Sequence, residues 1–484
     1  MLKIIFLTLI YLLKIHGDPQ KCGDYEIRTM NRLIRYKSYK PNMHGEYQEM
    51  DVLTANVPIN SSEPHGTHGS GIFVGYMKAT VGTKIKCVAV KIVNEIDEYE
   101  NARNISDHFQ KFLPHEKRWH IIEMIDAGIR LDVGAVVQGI LIMEFGSLNF
   151  SDMIYESAMS FNDDENVIQI LRDIVIPLNE FHQIAMHLDV KPDNFLLVRN
   201  KIEIPKFFVT KERITTNLWK IVDFNGAQLL QPSAKENGQK IATNFHNWPE
   251  IRINSALYNS PEYFTCEIVS QKTDIWSVGI IIHELLLAHR FYSQRSFNTN
   301  NANPQRSEIY AQLEAIADLF RGFSIKLNKN PKQFAINKQI KYSDKKSWLT
   351  RYYDALTHIL HIWSEFPKTA VLIGNLLGPN RTLRMTTNGI LDYIGGRCVP
   401  TEIKDAQNVR QFAMFNHILV GEFEQMLDAW RIELEQRSGD EHQQRQEEQQ
   451  KLENLEKLMK TAIKKQQKIH ETLKKCRKKC DTGV

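Results

Sequence analysis

The sequence predicts an α+β chain in which strand signals gather before residue 145, helical periodicity dominates after it, and the end is a long amphipathic helix. Three observations support this. Val88-Ala89-Val90-Lys91 and 139–143 are short apolar runs rich in β-branched residues. Residues 168–184 repeat apolar side chains at helical spacing, as do 280–287. Leu452, Leu455, Met459, Ala462, Gln466, Ile469, Leu473, Cys476 and Cys480 fall alternately three and four residues apart, which is a heptad seam.

A chain of 484 residues can bury a large two-part core, and 42% hydrophobic with 24% charged residues is a soluble globular composition. The formal charge of +4 is too small over this length to point to nucleic acid. Residues 1–17 read as a signal peptide, with Lys3 as the positive start, an apolar run over 4–13 and the small Gly17 at its end. That run is too short to span a bilayer as a helix, so no transmembrane span is expected. Secretion, or residence in the secretory pathway, follows if the signal is used; the alternative is an intracellular protein. Asn60, Asn104, Asn149 and Asn380 begin N-x-Ser/Thr sequons, which fit secretion. The cysteines at 22, 87, 266, 398, 476 and 480 are scattered rather than framed, and Cys87 and Cys266 read as small buried hydrophobes.

The densest chemistry lies in His187-Leu188-Asp189-Val190-Lys191-Pro192-Asp193-Asn194, between two apolar runs. An Asp ahead of a Lys and an Asn can orient a hydroxyl, put a cation on a phosphate and hold a divalent metal. Upstream, Gly66, Gly69 and Gly71 lie in a turn-rich segment where backbone amides can approach phosphate oxygens without a Cβ in the way. Lys91 then ends a strand whose small neighbour Ala89 leaves room for a ligand. The acidic helical run 95–112 offers Glu98, Glu100 and Asp107 as a partner for Lys91, and Glu100 is the expected one. The strand 139–143 exits through Met143, Glu144 and Gly146, where backbone groups can meet an adenine edge. After an insertion over 201–213, Trp219-Lys220-Ile221-Val222 delivers Asp223-Phe224-Asn225-Gly226. Further on come Ser255-Ala256-Leu257-Tyr258-Asn259-Ser260-Pro261-Glu262, Asp274-Ile275-Trp276-Ser277-Val278-Gly279, and Arg384, with Arg381 as its rival for pairing with Glu262.

In this order the stretches resemble the motifs of eukaryotic protein kinases over 60–395, nearest to the monopolar-spindle branch in 139–148 and 194–198. The resemblance implies a two-lobed protein kinase fold, with a small β-rich N-lobe and a large helical C-lobe. It further implies transfer of the ATP γ-phosphate to Ser/Thr hydroxyls of a protein substrate, with ATP and Mg2+ as cofactors. Asp189 and Lys191 take the catalytic places, Asn194 and Asp223 the metal places. Gly66, Gly69, Gly71, Ala89, Lys91, Glu100, Met143, Glu144 and Gly146 take the nucleotide places. Ser255 with Lys191 resembles the Ser/Thr rather than the Tyr type. The departures are His68 where the second loop glycine belongs, Asn225 in place of the D-F-G glycine, where Asn best tolerates a left-handed backbone, and Leu188 in place of arginine. They leave a pseudokinase scaffold as the alternative. Residues 18–59 read as a linker or docked extension, 396–450 as a helical connector, and 451–484 as a coiled coil with a basic end. The seam at 452–480 would take a second copy or a helical partner, or dock on its own domain.

Overall fold

The computed structural model describes residues 21–22, 25–26, 30, 32–41, 45–55, 71–78, 85–131, 137–146, 148–156, 163–201, 215–230, 235–236, 239–240, 256–264, 269–295, 306–327, 345–378, 381–395, parts of 420–435, and 442–481. The signal segment, Gly66, Gly69, Ser255 and the sequons at Asn60 and Asn380 lie outside them. The chain divides into two units, one of residues 1–149 and 195–227, the other of 150–194 and 228–484. Among the described residues no helix is long and apolar enough to cross a membrane.

The first unit is a closed antiparallel barrel. Its strands are β1 (Arg32–Pro41), β2 (Tyr47–Thr54), β3 (Gly71–Lys78), β4 (Ile85–Val93), β5 (Met124–Leu131) and β6 (Val137–Glu144), in the order β1-β2-β3-β4-β6-β5. Pairing of Lys37 with Ile129 and Ser38 with Gly128 closes it. Residues 32–54, read from the sequence as a linker or docked extension, thus supply two barrel staves. Ile34, Tyr36 and Val52 join Phe73, Val88, Val90, Ile92, Ile140 and Ile142 in its core. The basic residues of β1 alternate with that apolar set, so Arg35 and Lys37 form its solvent face. The buried Asp126 carboxylate accepts from Tyr36 Oη, Ser38 Oγ and the Ala127 N–H, each at 2.8 Å, which compensates its desolvation.

Helix α1 (Ile96–Phe112) follows β4 and buries Tyr99, Ala102, Ile105, Ser106 and Phe109. The short β7 (Leu148–Asn149) pairs with β9 (Phe195–Lys201), which pairs in turn with β10 (Thr215–Ile221) from Phe195↔Ile221 to Lys201↔Thr215. The insertion is therefore closed at its base by a regular ladder. A Cβ on Gly146 would sit 2.2 Å from Leu196 Cγ, so only glycine fits where the chain leaves β6.

Cys87 is disulfide-bonded, which corrects its reading as a small buried hydrophobe. The other cysteines lie outside the residues whose side chains are described. Spacing cannot reveal such a bond, because pairing depends on how strands are brought together.

The second unit is helical. Helix α2 (Phe150–Glu156) precedes α3 (Asp164–Phe181), which Asp163 caps by accepting from the Asn166 N–H at 3.0 Å and which buries Val167, Leu171, Ile174, Leu178 and Phe181. The strand pair β8 (Ala185–Met186) and β11 (Gln228–Leu229) flanks the 187–194 stretch. Helix α4 (Gln271–Arg295) is buried on nearly every face through 288, as a central core helix must be. Around it lie α5 (Arg306–Leu327), α6 (Lys345–Glu365) and α7 (Pro367–Leu376), while α8 (Thr387–Ile394) packs on α3.

Helix α9 (His442–Asp481) packs on α6 and α7, burying Leu452, Leu455, Met459 and Ala462. The first half of the heptad seam is thus an intrachain face, the docking on its own domain that the pattern also allows. A three-four spacing serves equally to dock one helix on a domain and to pair two copies.

His283 on α4 and His358 on α6 are both buried, with ring centroids 5.5 Å apart. Neither nitrogen of His283 has a hydrogen-bond partner, and burial pushes its pKa down to about 3. Such a depressed pKa favours folding above the ordinary histidine value and loses that contribution as pH falls below it. The neighbouring Glu284 carboxyl, raised by burial to about 7, runs the opposite way and loses its contribution as pH rises through 7. Comparison with His283→Leu isolates the histidine. Between pH 6.5 and 5 the wild type is expected to lose about 2 kcal/mol more than the variant in denaturant melts, since one proton contributes about 1.4 kcal/mol per pH unit. Parallel curves would show that the imidazole is protonated without cost.

Candidate active site

The site residues divide between the two units, and each set is held by its own unit. In the first unit, alternation along β4 sends Val88, Val90 and Ile92 into the barrel and places Ala89 and Lys91 on the other face. Lys91 Nζ lies 2.7 Å from Asp223 Oδ1. Asp223 has φ 65 and ψ 76, left-handed for a non-glycine residue, so the backbone strain sits two residues earlier than the expected place at Asn225. The residues 224–226 instead form a short 3-10 turn, and α1 holds it. Asn101 Nδ2 donates to the carbonyls of Asn225 and Ala227, both at 2.9 Å, and Asn225 Nδ2 donates to Glu98 Oε2 at 3.0 Å. Phe109 and Phe224 meet with centroids 6.2 Å apart.

This corrects the choice of Glu100, which is exposed on the opposite face of α1. Glu98 and Asn101, three residues apart, share the inward face with Ala102 and Ile105. Accordingly, Glu100→Ala is expected to change stability in denaturant melts by under about 0.5 kcal/mol, whereas Glu98→Ala, by freeing the turn, costs about 1.5 kcal/mol or more, one charged hydrogen bond's worth. Equal losses in the two variants would undo this assignment.

At the end of β6, the Glu144 side chain is committed elsewhere. It pairs with the buried Lys220 at 2.5 Å and accepts from the Glu123 N–H at 2.7 Å, while its own N–H donates to Glu123 O at 3.0 Å. Its carbonyl is what it has to offer a base. Met143 is half-buried and faces Ala89 across the ladder, so the two share one face of the strand pair. Gly71 opens β3, paired with Ile92.

In the second unit, Asp274 organises the 187–194 loop from the first turn of α4. Fully buried, it accepts from the His187 N–H at 2.8 Å, the Leu188 N–H at 2.7 Å and His182 Nε2 at 2.9 Å. These charged bonds hold Leu188 at φ 63, a left-handed conformation that an isolated leucine avoids. The Leu188 side chain packs with Met186, Leu230, Tyr263 and Val269, an apolar seat that explains its departure from arginine.

The turn that follows brings Asp189, Lys191 and Asn194 together. Asp189 Oδ2 accepts from Lys191 Nζ at 2.8 Å and from Asn194 Nδ2 at 3.1 Å, and Asn194 Nδ2 also donates to Asp189 O at 2.8 Å. Asp189 Oδ1 is buried with no hydrogen-bond partner, an orphaned acceptor of the kind a bound hydroxyl satisfies. With its amide nitrogen engaged, Asn194 has its oxygen to turn toward a cation. Asp223 in the first unit and Asn194 in the second each offer a hard oxygen donor of the kind magnesium takes. Among the described residues no group of three or more His, Cys, Asp or Glu side chains is gathered for a metal.

Supporting residues that no motif announced come from α5. Arg306 Nη2 donates to Ser151 Oγ and lies 3.5 Å from Asp193 Oδ1, with its guanidinium over the rings of Tyr155 and Tyr310. Arg321 donates to the carbonyls of Ala256, Leu257 and Asn259, anchoring the backbone ahead of Pro261. Tyr155 and Tyr258 hydroxyls each donate to the buried Glu284 carboxyl at 2.7 Å. Arg384, and not Arg381, reaches Glu262, with Nη1–Oε1 at 2.6 Å and Nη2–Oε2 at 3.0 Å.

Comparison with known proteins meets this geometry from another side. The family model described as protein kinase domain matches residues 63–393. Myosin light chain kinase 3 of Danio rerio is 25% identical over 318 residues, covering 63% of this chain and 38% of that protein. Serine/threonine-protein kinase nekl-2 of Caenorhabditis elegans is 28% identical over 212 residues, covering 42% and 51%, and serine/threonine-protein kinase ULK3 of Rattus norvegicus is 26% identical over 241 residues, covering 48% and 42%. The chain spans about half the length of these relatives or less. With the matched region running through both units, the chain belongs to the protein kinase superfamily.

Proposed function

We propose that this chain is an ATP-dependent protein serine/threonine kinase. The orphaned Asp189 Oδ1 carries the reading, because a carboxylate with one oxygen tied by Lys191 and Asn194 and the other free is set to orient a hydroxyl and accept its proton. Lys191 neutralises charge on the moving phosphoryl, and Lys91 anchors the α- and β-phosphates. Asn194 and Asp223 are the residues that would hold magnesium, which would screen the phosphate charges. Ser/Thr preference rests on Lys191 and on the resemblance at Ser255. The resemblance to the monopolar-spindle branch remains part of the proposal.

The Cys87 disulfide, together with the N-terminal apolar segment, favours the secretory pathway, since such bonds persist in oxidising compartments. Any pairing with a second copy falls to the part of the seam beyond Ala462, with Cys476 and Cys480 on it.

The scaffold alternative draws on one observation: the Lys91–Asp223 ion pair occupies both a phosphate anchor and a metal ligand. The deciding assay is transfer of labelled γ-phosphate from ATP to a generic protein substrate with and without magnesium, followed by phosphoamino-acid analysis. Magnesium-dependent label on serine and threonine is expected; label no greater than in the magnesium-free control would leave the scaffold.

A further inference from the structure

The face of β4 that carries Lys91 also carries Ala89 and Cys87, since Val88 and Val90 between them point into the barrel. Across the ladder Val74 pairs with Ala89 and Tyr76 with Cys87 on one side, and Met143 pairs with Ala89 on the other. Val74 and Tyr76 lie on this outer face too, because Phe73 is in the barrel core and a Cβ on Gly75 would meet Val90 Cγ2 at 3.1 Å. The seat for a base is therefore a strip that runs from Met143 through Ala89 to Val74.

The Val74 end of that strip is already filled. Val74 is 0% exposed and clusters with Ala55 and with Met30, a residue ahead of β1 that is itself 3% exposed. Tyr76, Cys87 and Phe145 pack against the same cluster, and Phe145 directly follows Glu144, whose carbonyl is offered to the base. Cys87 is disulfide-bonded. Ahead of Met30, Lys21–Cys22 pairs with Tyr25–Glu26, and the backbone of 21–22 packs on β3, the strand whose Tyr76 pairs with Cys87. Cys22 is the only cysteine in the sequence before Met30.

We propose that the chain ahead of β1 is a redox-held cap on the base seat, with Met30 filling the Val74 end and a disulfide between Cys87 and Cys22 fastening it. The inference rests on the kinase reading, which makes the Lys91 face the nucleotide face. A base that spreads onto Val74 has to displace Met30, and the bond keeps the displaced segment at high effective concentration. Reduction by a dithiol takes two electrons and two protons into the bond, which leaves two cysteine thiols and converts the reductant to its own disulfide. The oxidising compartment that preserves the bond is then one in which nucleotide binds weakly, and a reducing one releases the cap.

The tests use the full chain. Peptide mapping without reduction is expected to join the Cys87 peptide to the Cys22 peptide, and any other partner overturns the proposal. Calorimetric titration with the magnesium complex of a non-hydrolysable ATP analogue, before and after treatment with dithiothreitol, is expected to show affinity tighter by at least about fivefold in the reduced chain. Unreduced Met30→Ala should bind about tenfold tighter than unreduced wild type, on the order of one buried methionine side chain. Cys87→Ala, which lacks the bond, should bind as the reduced chain does and lose its response to dithiothreitol, so either variant serves if the other unfolds. Equal affinity in the oxidised and reduced chains, or weaker affinity once the cap is loosened, overturns the cap alone and leaves the kinase reading in place. Saturable binding in neither state overturns both.

Discussion

Asp189→Asn yields a folded protein whose magnesium-dependent transfer is lower by about a thousandfold or more, within the range that general-base catalysis contributes. The amide has the size of the carboxylate but cannot take the hydroxyl proton from the position of the orphaned Oδ1. It also removes the counter-charge from Lys191, whose ammonium lies 2.8 Å from Oδ2. Folding is spared because the His187 and Leu188 backbones are held by Asp274, and Asp189 bonds His187 only through its own N–H, which the substitution keeps. Coincident thermal melts of the two proteins, with label incorporation falling to the magnesium-free level in the variant, are the expected pair of measurements. Transfer within tenfold of wild type would remove Asp189 from the chemistry and with it the proposed mechanism.

The motif residues were legible because each sits where local sequence dictates local geometry. Asp274 begins a helix, Asp189 to Asn194 lie in one turn, and Glu262 follows Pro261 in a one-turn helix. What escaped depends on packing between distant segments. The phase of α1 relative to the 224–226 turn decides between Glu98 and Glu100, and nothing in 95–100 alone reveals that phase. The three-residue spacing of Glu98 and Asn101, continued by Ala102 and Ile105, was the available signal. The staves over 32–54 were hidden by their own alternation, since basic residues every second position read as a charge cluster when strand period is not tested. Arg306 and Arg321 belong to a stretch with no motif, and only the docking of α5 brings them to Asp193 and to the 256–259 backbone. The heptad seam shows the reverse case, in which a clear pattern had two physical readings and the apolar surfaces of α6 and α7 decided its first half.

Arg384→Leu is expected to destabilise the second unit by about 3–5 kcal/mol, because it strands a buried carboxylate. Both partners are almost wholly enclosed, with side-chain exposures of 0% for Arg384 and 4% for Glu262. Burial by itself raises the Glu262 carboxyl, but the Arg384 guanidinium more than offsets this, so the carboxyl sits below its ordinary value. The pair's contribution is therefore present above the ordinary glutamate range and is lost only as pH falls through that lowered value. Arg384 also donates from Nε to Gly378 O at 2.9 Å and from Nη1 to Lys272 O at 3.1 Å, and lies 5.0 Å over Trp276. Truncation thus orphans two carbonyls besides the carboxylate, and the melting temperature should drop by roughly 6–20 °C for a unit of this size. Replacing both residues with leucine removes the stranded charge, so the double variant should be more stable than Arg384→Leu alone, a coupling that a double-mutant cycle in urea measures directly. If the single and double variants melted together within about 1 kcal/mol of wild type, the pair would be ornamental, and the chain ahead of α4 would have to be held by Arg321 and the Glu284 network instead.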